Sequence, residues 1–194
     1  GSLGDAATTS FFPAKPLGCY GDGGAIFTND DHEAEYLRSI AVHGKGSFKY
    51  DNVRIGWNSR LDTIQAAILL VKFDAFQEYE LEDVNKVASW YTEALKAKVK
   101  TPVVPEGCYS SWAQYTIQLK NEEERTALQQ KLKEQGIPTM VYYPKPMHEQ
   151  TAFKGLKQYV PCPVTERLCK TVVSLPLDPY KVKLDIDEII SSIQ

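Results

Sequence analysis

The chain has 194 residues, 43% of them hydrophobic and 24% charged, with a formal net charge of -3 and a pI near 5.7. Such a composition describes a globular chain able to bury a core, as one ordinary domain or two small ones, and excludes a disordered tail, a coiled coil or a collagen-like repeat. Lysines and arginines are dispersed along an acidic chain, so no electrostatic footprint for nucleic acid is present.

Cys19, Cys108, Cys162 and Cys169 lack the paired spacing of a zinc site and read as free thiols, and no metal site is expected. Nothing reads as a signal peptide, and no apolar run approaches the roughly 20 residues that span a bilayer, so a cytoplasmic protein without a membrane partner is expected.

Residues 6–12 and 25–28 read as two strands joined by a Gly-rich turn at 18–24. Asn29 and Asp30 end the second strand, and 31–41 reads as a short helix whose acidic start suits its dipole. The polar, Gly-rich stretch 43–58 reads as loop. Ile64, Ala67, Ile68 and Val71 then fall on one face at helical spacing, and Val84, Val87, Ala88, Tyr91 and Leu95 repeat the pattern, as one long helix or two successive ones. Residues 101–107, with two prolines and a glycine, read as the linker into a second unit, which divides the chain into 1–100 and 101–194.

The second unit alternates patterns. Residues 112–119 predict a strand, and Asn121 with Glu124 predicts a capping box for a helix that reaches Gln135 and stops at Gly136 and Pro138. A strand at 139–143 enters a proline-broken loop. Residues 164–170 follow as helix and 172–175 as strand, and Asp185 is expected to cap a last helix with the face Ile186, Ile189, Ile190 and Ile193.

The chemistry is concentrated in residues 8–24, TTSFFPAKPLGCYGDGG, where Lys15 sits between Pro13 and Pro16, whose fixed φ angles restrict where its amine points. A lysine so held can be a covalent nucleophile, because Schiff-base chemistry needs an amine made partly neutral by burial or a neighbouring cation. Taken alone, it reads as a surface-loop lysine beside a glycine turn. That turn is no phosphate loop: it lacks the Gly-Lys-Ser/Thr ending and precedes no helix, which argues against a nucleoside triphosphatase.

In residues 55–67, IGWNSRLDTIQAA, Asn58 offers an amide donor and Arg60 a planar fork, suited to phosphate and carboxylate. Read without context, Asn58 caps the following helix and Arg60 is solvated. In residues 137–148, IPTMVYYPKPMH, His148 reads as a structural hydrogen-bonder more readily than as a proton shuttle.

Together, Ser10, Lys15 and the run ending Gly21-Asp22-Gly23-Gly24 resemble the active-site lysine segment of the DegT/DnrJ/StrS family of sugar aminotransferases. The stretches 55–67 and 137–148 and the closing Ser174-Leu175-Pro176-Leu177 are similar to further segments of that family. The resemblance covers essentially the whole chain. It implies that Lys15 holds pyridoxal phosphate covalently, that Ser10 contacts its phosphate, and that Asn58 reaches across a dimer interface to the partner's cofactor phosphate. It further implies that Arg60, Tyr142 and Tyr143 face the substrate.

The implied fold is α/β: the C-terminal part of a fold-type I aminotransferase, with a remnant of the large domain and long connecting helices at 1–100 and a small α+β domain at 101–194. The implied reaction is transamination of a UDP-linked 3-keto sugar with glutamate as donor, by a homodimer, in polysaccharide or O-antigen synthesis. The wording of residues 11–27 is closest to the branch that aminates UDP-2-acetamido-2-deoxy-3-oxo-glucuronate. Some relatives carry histidine at the lysine and dehydrate sugars, so Lys15 points to the aminotransferase. Family members run to nearly twice this length, and the aspartate and stacking aromatic of their N-terminal half have no counterpart here. The alternative is a truncated, noncatalytic homologue that self-associates or binds a partner through its exposed large-domain remnant.

Overall fold

The computed structural model describes residues 3–157 and 160–193. The chain divides into two compact units, Gly1–Glu78 and Tyr79–Gln194.

In the first unit, β1 (Ala6–Ser10) pairs antiparallel with β2 (Gly24–Thr28), in a register running from Ala6↔Thr28 to Ser10↔Gly24. Helix α1 (Asp31–Ala41) starts where Asp30 accepts the Glu33 N–H at 3.0 Å, satisfying one of the orphan donors of the first turn. The stretch expected as loop is held by single bridges, Val42↔Asn58 and Lys45↔Asn52. Its glycines are sterically obligatory: Gly44 has φ +73 and an added Cβ would overlap the Arg54 carbonyl oxygen, while a Cβ on Gly56 would overlap the Gly44 nitrogen. Helix α2 (Thr63–Ala75) begins at Asp62, whose carboxylate accepts the Ile64 N–H at 2.7 Å.

A π-helical turn, Phe76–Glu80, follows α2 and leads into α3 (Leu81–Leu95). The periodicity allowed one helix or two, and this wider turn is the break between them. The border of the compact units falls in the same turn, not near residue 101, because the buried face of α3 belongs to the core of the second unit.

In that unit β3 (Tyr115–Gln118) and β4 (Val172–Leu175) pair antiparallel from Tyr115↔Leu175 to Gln118↔Val172. Lys100 bridges to Gln118 on the outer edge of β3, and Met140 bridges to Ser174 on the outer edge of β4. Helices α4 (Glu122–Glu134), α5 (Pro163–Thr171) and α6 (Lys183–Ile193) pack around the pair together with α3. Tyr91, Leu95, Tyr115, Ile117, Leu132, Val173 and Ile186 are fully buried there, and burying each such aliphatic side chain contributes about 1.5–3 kcal/mol. The buried phenols are satisfied: Tyr91 donates to the Pro176 carbonyl at 2.9 Å, and the Tyr115 hydroxyl lies 2.7 Å from Thr92 Oγ1. At the start of α3 the buried Glu80 carboxylate accepts a hydrogen bond from the Tyr180 hydroxyl.

Three expectations for this unit are corrected. The strand at 112–119 is shorter, because Trp112 takes a positive φ and turns its ring onto Tyr115 and its Nε1–H to Asn85 Oδ1 at 2.8 Å. The strand at 139–143 reduces to one bridge at Met140: Pro138 and Pro144 carry no N–H with which a ladder could extend. Asp185 lies within the first turn of α6 instead of capping it, and its carboxylate accepts from the Val182 N–H at 3.3 Å. Asn121 does cap α4, accepting the Glu124 N–H at 2.8 Å, while Glu124 turns back to the Lys120 N–H at 3.4 Å. Among the described residues, no helix is long and apolar enough to cross a membrane.

Candidate active site

Ser10 ends β1 and Lys15 lies on the turn that follows; both side chains are exposed. The turn closes on itself: Ser10 Oγ accepts the Phe12 N–H at 3.2 Å, and the Lys15 N–H donates to the Phe12 carbonyl at 2.8 Å. Farther along, the Phe11 carbonyl accepts the Cys19 N–H at 2.7 Å, and the Cys19 thiol reaches the carbonyls of Phe11 and Gly21 at 3.0 Å each. Cys19 is 1% exposed, so this small thiol is the buried pin of the lysine loop. Gly18 is required beside it, since a Cβ there would meet the Phe12 and Pro13 carbonyl oxygens at 2.8 Å.

The second motif folds back onto the first. Residues 57–59 run beside the end of α1, where the Trp57 N–H donates to Ile40 O at 2.6 Å and the Ser59 N–H to Ala41 O at 2.9 Å. Asp62 caps α2, which frees the Asn58 side chain from that role, and its Oδ1 accepts from Arg60 Nη2 at 2.7 Å. That bond orients the guanidinium, and both Asn58 and Arg60 are exposed, with further donors to offer. In the first turn of α2, Gln65 Oε1 accepts the Tyr20 N–H at 2.8 Å. Leu61 approaches Gly23 so closely that a Cβ on the glycine would lie 3.0 Å from Leu61 Cδ1.

Ser10, Lys15, Asn58 and Arg60 thus belong to one compact unit, and Tyr142 and Tyr143 to the other. The two tyrosines are 41% and 69% exposed, and their rings meet edge to face at 5.7 Å. Beyond them His148 Nε2 lies 3.3 Å from Glu166 and 3.9 Å from Glu149, a tie between the loop and α5 that suits the structural reading of this histidine. A cleft of about 820 Å³ in the first unit is lined by Arg60, Leu61 and the β1–β2 pair, but by neither Lys15 nor Ser10. This concavity is the space between the small sheet and α1.

Cys19 and Gln65 were missed in the sequence. The thiol carries no motif signal, and Gln65 was visible only as part of a matched string, with nothing to reveal that it reaches back 45 residues.

These residues suit an amine-bound cofactor. Among the described residues no carboxylate or carbonyl engages the Lys15 amine, and the Ser10 hydroxyl stands five residues away on the same turn. The lysine loop is tied to α2 through Gln65, and the segment just before α2 carries the Asn58 amide and the Arg60 guanidinium, residue types suited to an anionic ligand.

The chain belongs to the DegT/DnrJ/EryC1/StrS aminotransferase family, whose sequence pattern matches residues 1–194. It is 47% identical over 180 residues to the UDP-2-acetamido-2-deoxy-3-oxo-D-glucuronate aminotransferase of Pseudomonas aeruginosa, covering 92% of this chain and 48% of that protein. It is 48% identical over 184 residues to a pleiotropic regulatory protein of Geobacillus stearothermophilus, covering 92% and 48%. The crystal structure of a DegT/DnrJ/EryC1/StrS aminotransferase from Brucella abortus superposes with a TM-score of 0.92 at 51% identity, covering 98% of this chain and 50% of that one. The chain therefore spans about half the length of the curated relatives it matches.

Proposed function

We propose that this chain carries the lysine-bearing part of a pyridoxal-phosphate-dependent nucleotide-sugar aminotransferase, with a UDP-linked 2-acetamido-3-oxo-glucuronate as acceptor and glutamate as amino donor. The single observation that carries the reading is Lys15 on its Cys19-pinned loop, five residues after Ser10, with no partner on its amine among the described residues. The family membership and the identity to the Pseudomonas enzyme support the substrate class.

Lys15 Nζ would hold the cofactor covalently, and Ser10 Oγ would donate to its phosphate. When bound, pyridoxal phosphate supplies an electron sink for the carbon that loses a proton. The same Nζ, as a free amine, would take that proton from Cα of the amino donor and return one to the sugar carbon in the second half of the cycle. Asn58 and Arg60 act as a pair: the amide fixes the fork, and the fork receives an anionic group of cofactor or substrate. Tyr142 and Tyr143 contribute hydroxyl donors toward the sugar.

The first unit also leaves Ile26, Phe27, Ile64, Leu70, Val71 and Phe73 substantially exposed, which favours apolar surface covered in an assembled homodimer. The same exposure is the observation behind the second reading, a noncatalytic module that associates through such apolar surface.

Cofactor titration separates the readings. The full-length protein is expected to gain the visible absorbance of lysine-bound pyridoxal phosphate and to convert glutamate to 2-oxoglutarate, with both lost in Lys15→Ala at unchanged circular dichroism. A full-length protein that dimerises without taking up pyridoxal phosphate favours the module.

A further inference from the structure

Arg125, in the first turn of α4, is a buried charge that its surroundings satisfy only in part. Its side chain is 11% exposed, and its Nε is buried without a hydrogen-bond partner among the described residues. One terminal nitrogen lies 3.5 Å from Glu122, whose carboxylate is half exposed, and the other donates to Gln129 Oε1 at 3.3 Å. A guanidinium held this way is costly to stability, and an apolar residue of similar volume would avoid the cost. The bonds that this guanidinium does make point to a role other than packing.

That role follows from donor and acceptor chemistry. Arginine only donates, so Gln129 must turn its oxygen toward Arg125 and its amide group away. That amide group then points to Thr139 Oγ1, 3.5 Å off. Thr139 precedes the residue that, among the described residues, bridges this segment to the sheet: the Met140 N–H donates to Ser174 O at 3.2 Å, and the Ser174 N–H to Met140 O at 2.7 Å. Val141 is buried next, and Tyr142 and Tyr143 follow in the open. A single bridge fixes where the strand sits but leaves it free to swivel, and a second tether one residue earlier removes that freedom.

We propose that Arg125 and Gln129 are positioning residues for the Tyr142–Tyr143 loop: the guanidinium orients the Gln129 amide, and the amide holds Thr139 so that the two tyrosines meet the sugar at a fixed angle. The inference rests on the reading of those tyrosines as sugar contacts.

It is tested on the full-length holoenzyme by measuring KM for the keto-sugar nucleotide and for glutamate separately, in Gln129→Leu, Gln129→Glu, Arg125→Met, Tyr142→Phe and Tyr143→Phe. Gln129→Leu and Arg125→Met are expected to raise the sugar KM about tenfold, the scale of a small misplacement, with the glutamate KM unchanged. Gln129→Glu keeps an acceptor for Arg125 and for the Thr139 hydroxyl, and is expected to restore the sugar KM. An effect of the tyrosine variants without one from Gln129→Leu overturns the relay alone. No effect from either tyrosine variant removes the loop's substrate role and the relay's purpose with it. Equal losses on both substrates, in step with a lower Tm, mark Gln129 as merely structural and also overturn the proposal.

Discussion

Gln65 Oε1 accepts the backbone N–H of Tyr20 at 2.8 Å, joining the first turn of α2 to the far end of the lysine loop. Two segments that carry separate motifs are thereby one structural object. Gln65→Leu keeps the side-chain volume and leaves the Tyr20 N–H without its partner. Its expected cost is about 1 kcal/mol in urea unfolding, together with faster loss of cofactor on dialysis than in the parent protein.

The Asn58–Arg60 pair predicts a division of labour. Arg60→Ala is expected to raise KM for the anionic substrate about 10–100-fold, the worth of a charge-assisted bond, while cofactor absorbance persists. Asn58→Ala is expected to weaken cofactor retention, read by absorbance after gel filtration.

The close approach at Gly44 predicts intolerance to any side chain. With φ at +73 and the Arg54 carbonyl oxygen in the space an added Cβ would need, Gly44→Ala must displace backbone. The expected loss exceeds about 2 kcal/mol, measured as a lower urea midpoint, and the far side of the same loop would move Asn58 with it.

Burial raises the phenol pKa of Tyr91 and of Tyr115 above the ordinary tyrosine value, the Thr92 hydrogen bond offsetting part of the rise at Tyr115. The folded chain then binds these protons more tightly than the unfolded chain. Stability from this source is complete below the unfolded tyrosine pKa of about 10 and falls as pH rises above it toward the folded values. Urea midpoints measured from pH 8 to 11 are expected to drop on the alkaline side. Tyr91→Phe should flatten that drop while lowering the midpoint at neutral pH, because the Pro176 carbonyl loses its donor.

The elements with a strong local cause were legible in the sequence. Helix α4 was marked at both ends by Asn121 and Gly136, and the buried face of α3 by its periodicity. The strand at 139–143 was not, because an apolar run between two prolines has the composition of a strand without the N–H groups to pair as one. The unit border was misplaced for a related reason. Prolines at 102 and 105 announce a linker, whereas membership of α3 is decided by the long-range contacts of Tyr91 with Tyr115 and Pro176, which no local window reports. Lys15, Ser10, Asn58 and Arg60 stand out as candidates through their sequence motifs, whereas their surroundings do not. The Cys19 pin, the Gln65 tether and the Arg60–Asn58 bond are side-chain events between distant or ambiguous positions, and only coordinates resolve them.

Whether Lys15 is the residue that condenses with the cofactor is decided by borohydride reduction of the full-length holoenzyme, followed by digestion and mass mapping. The reduced cofactor is expected on Lys15, within the peptide that also carries Ser10 and Cys19. Label on another lysine, or on none, would refute the assignment.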